Sequence, residues 1–246
     1  MRTNLAVYSK YQVFLNYPFD AEFEKLANAM HFGVVAAGLL PVCAKDLSTP
    51  DRPRLEILVE AITSCHYSAH DLSRCRGEGV DNFARFNMPI EMGMALFYAL
   101  HTQRNVHRCA FVVPKPHDYQ AFASDLAGLD PRYYDKNDVS LAVSVYEWLR
   151  DVVKEPLLNR KPTAKVKEKY IEFRTRLKQI KGSGRKNSPN HDEAQELMYS
   201  ICSACRWWDW RGNKAGKLEF PRLELSWKSR SKQAASFRSN NHKSRS

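Results

Sequence analysis

Through its first 155 residues the chain alternates short apolar runs with longer stretches of helical periodicity. That alternation constrains the fold more than any other feature. Gln12–Asn16 (QVFLN) reads as a buried strand, stopped by the turn signal Tyr17-Pro18. The stretch DAEFEKLANAMHFGVVAAG follows, with Asp20 as cap, acids in the first turn and Gly38 at its end. Leu39–Cys43 is a second strand, which Pro41 assigns to a sheet edge. After the loop STPDRP comes the amphipathic helix RLEILVEAITS, then a third strand at Cys65–Leu72. A polar loop, Ser73–Asn87, leads to Pro89 and the apolar helix IEMGMALFYAL. Cys109–Val113 is a fourth strand, closed by Pro114. HDYQAFASDL and DVSLAVSVYEWLRDVV are two more expected helices, with a short fifth edge strand at 132–134 between them. Strands alternating with helices imply a mainly parallel sheet covered on both faces. Right-handed crossovers then give an α/β, doubly wound, flavodoxin-like sheet.

The rest of the chain has a different character. Residues 1–156 carry 16 Lys and Arg against 19 Asp and Glu, whereas residues 157–246 carry 22 against 8. The net charge of +11 therefore arises in the C-terminal third. We divide the chain into an α/β domain (1–155), a basic helical extension (156–226) and a disordered basic tail (227–246). In the extension, VKEKYIEFRTRLKQI places Val166, Tyr170, Phe173, Leu177 and Ile180 at helical spacing. HDEAQELMYSICSACRWW is a second helix, capped by Asp192, and the two suit a hairpin packed on the sheet domain. Gly93, within IEMGMALFYAL, is expected where a strand or ligand approaches closely. Basic segments contact nucleic acid or protein partners in some chains and are solvated surface in others.

Several classes are disfavoured. No apolar run reaches the roughly 18 residues that span a bilayer, and MRTNLAVYSKYQVF has no signal-peptide core. A cytoplasmic protein with reduced thiols at its six cysteines is the expectation. Cys202 and Cys205 form a single CxxC, short of the four ligands of a structural zinc site, so no metal is expected. His66 and His70 form no dyad with Asp71, and GEG at 77–79 is not a phosphate loop. Trp207, Trp208 and Trp210 read first as core or interface anchors.

In doubly wound sheets the ligand crevice lies beyond the C-terminal strand ends. That places Asn16, Tyr17, Pro18 and Phe19 there, with Asp71, Ser73 and Arg74 after strand three. The following loop delivers Arg85, Asn87 and Met88, and Glu91 falls in the first turn of the next helix. Two carboxylates at one crevice suit recognition of ribose hydroxyls and stabilisation of an oxocarbenium-like sugar carbon. Glu91 equally reads as a helix-dipole acid, and Asp71 as a loop cap.

Taken together, VFLNYPFD, SAHDLSR, RFNMPIEMGMAL and CAFVV resemble a bacterial group related to nucleoside 2-deoxyribosyltransferases and Toll/interleukin-1 receptor (TIR) domains. The resemblance covers roughly residues 11–154 and is strongest at HDLSR and RFNMPIEMG. It implies cleavage of an N-glycosidic bond, by hydrolysis or transfer, with Glu91 as the catalytic carboxylate. Asp71 becomes a ribose or base contact, and Arg85 and Asn87 become ligand contacts from the loop. No cofactor is implied, NAD entering as a substrate, and homo-oligomers and a role in antiviral defence are implied by the resemblance alone. The chain lacks the Gly-Pro motif usual after strand one in the transferases and the Trp-Cys context of enzymatic TIR domains. A non-catalytic nucleotide-binding signalling module and a nucleic-acid-associated protein stay open as alternatives.

Overall fold

β1 (Gln12–Asn16) is buried along its whole length, as a five-residue apolar run in the middle of a covered sheet must be. In the computed structural model it lies between β2 (Leu40–Cys43) and β3 (Tyr67–Asp71), followed by β4 (Arg108–Val113) and β5 (Arg132–Tyr133). The structure describes residues 11–47, 53–75, 86–102, 104, 106–114, 118–121, 123–126, 128–135, 137–153, 161–182 and 191–203. The strand order is β2-β1-β3-β4-β5 and every pairing is parallel. This is the expected doubly wound, flavodoxin-like sheet, with Pro41 on an edge strand. Leu15 lies opposite Cys43 on one side and Ala69 on the other, while Asn16 faces His70.

The helices are α1 (Glu24–Ala36), one-turn α2 (Ala44–Leu47), α3 (Arg54–Ser64), α4 (Asn87–His101), α5 (Asp138–Val152), α6 (Thr163–Gly182) and α7 (His191–Ser203). Asp20 caps the 3-10 turn Ala21–Phe23 that opens α1, its side chain accepting from the Phe23 amide. Gly38, at φ 78°, ends that helix in the left-handed region that glycine adopts without strain. Side chains alternate across the strands. Val13, Leu15, Tyr67 and Ala69 turn into a core shared with α1, α5, α6 and α7. Phe14 turns to the other face, against Leu58, Ala61 and Ile62 of α3 and Ala95 of α4.

Two expectations change. HDYQAFASDL does not form an α-helix; its described residues make 3-10 turns at Asp118–Ala121 and Ser124–Leu126. Tyr119 and Leu126 are buried beside Phe111, so two anchors fix this connection without a continuous ladder. Gly93 is exposed, with nothing near the place its Cβ would occupy. The close approach is instead at Gly33 of α1, where a Cβ would stand 2.7 Å from the Ala142 carbonyl oxygen of α5. The α6 and α7 pair packs on the sheet domain as expected, and is continuous with its core: Tyr170, Phe173, Met198 and Ile201 are each at most 1% exposed within it. Arg85, residues 77–79, Cys205, the three tryptophans at 207, 208 and 210 and the 227–246 tail lie outside the described residues.

Candidate functional site

The chain reverses its direction of strand addition between β1 and β3, and in doubly wound sheets ligands bind at the strand ends beside such a switch point. Asn16 ends β1 there and is buried. Its amide nitrogen donates to the Met88 carbonyl at 3.0 Å and lies 3.1 Å from Nδ1 of His70. One side chain thus ties β1, β3 and the start of α4 together. Burial depresses the His70 pKa to about 3, so the ring is neutral, and accepting from Asn16 at Nδ1 puts its proton on Nε2. That nitrogen is buried without a partner among the described residues, which a water or ligand acceptor would satisfy.

Glu91 is the unusual residue. α4 begins at Asn87, two residues before Pro89, so Glu91 opens the second turn rather than falling in the first. Its buried neighbours on the helix are Met88, Met92, Ala95 and Ala99, spaced as one apolar stripe. Glu91 occupies a place in that stripe and is 6% exposed. Among the described residues its carboxyl makes no hydrogen bond and no ion pair. Burial pushes its pKa up to about 7, with the Arg54 charge pulling the other way. Arg54 begins α3, and its guanidinium lies 5.7 Å from the centre of the Phe19 ring. Phe19 is half-buried and packs against the cores on both faces of the sheet.

Asp71 is placed differently. It ends β3 on the α1–α5 side, while His70 beside it faces α3 and α4. One carboxylate oxygen accepts from the Ser73 amide at 3.0 Å and from the Ser73 hydroxyl; the other accepts from Tyr134 Oη at 3.0 Å. Burial raises its pKa to about 6 against the pull of these donors. Asp71 and Ser73 therefore hold the loop after β3 in shape and attach it to the segment after β5. Arg74 reaches across to the other lip, pairing with Asp20 at 3.4 Å and Glu22 at 3.0 Å. Pro18 is buried, and Asn87 is exposed at the start of α4. The structure therefore gathers Asn16, Met88 and Asn87 at one switch-point strand end, with Glu91 one turn along α4 and Phe19 just after β1. Asp71, Ser73 and Arg74 form the adjoining wall, and Arg85 lies outside the described residues. Arg54 is the member missed by sequence reasoning. Its only signal was its position directly after Pro53, at the opening of a helix.

The arrangement can hold a carboxyl group near neutrality in a partly dry crevice, with an aromatic ring and a cation at the rim. No helix among the described residues is long and apolar enough to cross a membrane. No family model matches the chain, and no curated protein matches it. Among solved structures it is similar to the TIR domains in the structure of the activated Roq1 resistosome directly recognizing the pathogen effector XopQ. The identity there is 10% and the TM-score 0.34, over 66% of this chain and 98% of that one.

Proposed function

We propose that the chain cleaves an N-glycosidic bond, by hydrolysis or transfer, in NAD or a related nucleotide or nucleoside. The observation that carries this reading is Glu91: a buried carboxyl in an apolar helix stripe, without a hydrogen bond or ion pair among the described residues, with its pKa raised to about 7. A carboxylate in such a place stabilises positive charge developing at a sugar C1, or bonds to that carbon. Phe19 offers a face for a base, and Arg54 a cation for a phosphate or for the carboxylate itself. Asp71, Ser73, Asn87 and Arg85 are proposed as contacts to the sugar and base from the adjoining loops.

The two kinds of leaving group call for opposite states of Glu91. Nicotinamide departs from a pyridinium and takes no proton, so its release needs the carboxylate and rises with pH through about 7. A neutral nucleobase needs a proton as it leaves, so its release by a protonated Glu91 falls over the same range.

The test incubates the full chain with NAD, NADP, nucleosides and deoxynucleosides and resolves the products by chromatography, with Glu91→Gln in parallel. Nicotinamide or a free base formed by the wild type, and reduced by at least about 100-fold in the variant, supports the reading. Equal activity in Glu91→Gln overturns it. Ligand-dependent thermal stabilisation without any product, in a concentrated sample, selects the non-catalytic nucleotide-binding module instead.

A further inference from the structure

A second group of reactive side chains gathers at the C-terminal end of the edge strand, on the opposite side of β1 from the β3 switch point. Cys43 is the last residue of β2 and is fully buried; His31 projects from α1 and is 1% exposed. His191 is the first residue of α7, 148 positions after Cys43. One ligating atom from each of these three lies within 4.8 Å of the others. The His191 Nε2 stands 3.9 Å from Cys43 Sγ and 3.2 Å from Asp46 Oδ1. Bonds of about 2.0–2.3 Å at tetrahedral angles set ligand atoms about 3.3–3.8 Å apart, so these separations are close to the edges of a metal tetrahedron.

From this juxtaposition we infer that His31, Cys43 and His191 form a zinc site, with Asp46, now 3.2 Å from His191 Nε2, turning in as the fourth donor. Two imidazoles, one thiolate and one carboxylate are a donor set that suits Zn(II) among common divalent ions. The surroundings already orient the donors. Asp46 Oδ2 accepts from the Cys43 amide at 2.8 Å, which leaves Oδ1 turned to His191. Whichever nitrogen of His31 takes the ion, the other keeps a polar neighbour: Tyr17 Oη lies 2.8 Å from Nε2, and Gln195 Nε2 lies 3.4 Å from Nδ1. Such outer contacts fix the orientation of a ligand ring. The Gln195 amide lies 2.8 Å from His191 Nε2 as well as 3.4 Å from His31 Nδ1, so it bridges the two ring nitrogens and gives up its His191 contact when the ion enters. The ion would join α1, the end of β2 and α2 to α7, which begins 148 residues after Cys43. The site is independent of the proposed reaction at Glu91.

The experiment uses the full chain, stripped of metal by a chelator and then titrated with Zn(II) alone by calorimetry and with Co(II) by absorption. One equivalent of Zn(II), a thiolate-to-cobalt band with tetrahedral d–d bands, and a rise in Tm with metal are expected. Cys43→Ser and His191→Gln should each weaken binding on the order of 100-fold or more and abolish the metal-dependent rise in Tm. Cys43→Ser should also remove the thiolate band. His191 is partly exposed at a helix start, so His191→Gln keeps the fold, which circular dichroism checks. Cys109→Ser, on the other face of the sheet, should change nothing. Absence of stoichiometric uptake, or uptake that survives either ligand substitution, overturns the proposal.

Discussion

Glu91 sits where the pattern of its own helix asks for an apolar side chain, and a carboxyl there costs stability. Its pKa moves from 4.5 to about 7 on folding, so the folded chain holds the proton more tightly than the unfolded one. Stability therefore falls as pH rises between those values, and above about 7 the full penalty remains, on the order of 3 kcal/mol. Glu91→Gln is expected to gain about 1–3 kcal/mol at pH 8 and nothing at pH 4, as read by urea denaturation at both, while losing activity. A variant no more stable at pH 8 would show that the carboxyl is solvated or paired. Gly33→Ala is expected to lose about 1–3 kcal/mol, because its Cβ meets the Ala142 carbonyl oxygen and Val145. Gly93→Ala meets nothing and should raise Tm slightly through helix propensity. Asp20 and Gly38 were legible in sequence because capping and left-handed helix termination are local signals. Gly33, Arg54 and His31 were not, since what they touch comes from another part of the chain.

At the scale of elements, Asp138 decides how α6 docks. Asn137 caps α5 by accepting from the Ser140 amide, and Asp138 follows it, 2% exposed. Its carboxylate takes bonds from Tyr170 Oη at 3.0 Å and Arg174 Nη1 at 3.1 and 3.2 Å, both on α6, and pairs with Lys25 of α1 at 3.1 Å. These donors hold its pKa below the usual Asp value. A depressed carboxylate stabilises the fold above the unfolded value of about 3.9 and loses that contribution as pH falls through its folded one. Asp138→Ala is expected to cost about 1–3 kcal/mol at pH 7 by chemical denaturation, because it removes the acceptor of the buried Tyr170 hydroxyl and of a half-buried guanidinium. The difference from wild type should shrink steadily below about pH 4. The α6 stripe of Val166, Tyr170, Phe173 and Leu177 was readable from spacing, and all four are buried. The segment around Tyr119 and Leu126 misled because two anchors seven residues apart satisfy a helical period as well as they satisfy two separate turns.

Over the whole molecule, the helices that follow residue 156 belong to the same core as β1 and α1. Val166, Tyr170, Phe173, Leu177, Met198 and Ile201 are buried there, and each large apolar side chain contributes about 1.5–3 kcal/mol. Together they amount to on the order of 10 kcal/mol, comparable with the entire stability of an ordinary domain. A chain ending at Val153 is therefore expected to lose cooperative thermal unfolding and to expose Phe32 and its neighbours, which calorimetry and dye binding would read. A sharp unfolding transition in that fragment would show the sheet and its inner helices to be self-sufficient. The sequence by itself determined the alternation of strands with the long helices, the parallel sheet that follows from it and the residues at its strand ends, because periodicity and capping act over a few neighbouring residues. Only the tertiary structure decided that Arg54 and Phe19 frame Glu91, that Asp71 binds Tyr134, and that His191 comes to Cys43. Those pairings join segments tens of residues apart or more, and the shape of the closed core, not any local preference of the chain, sets them.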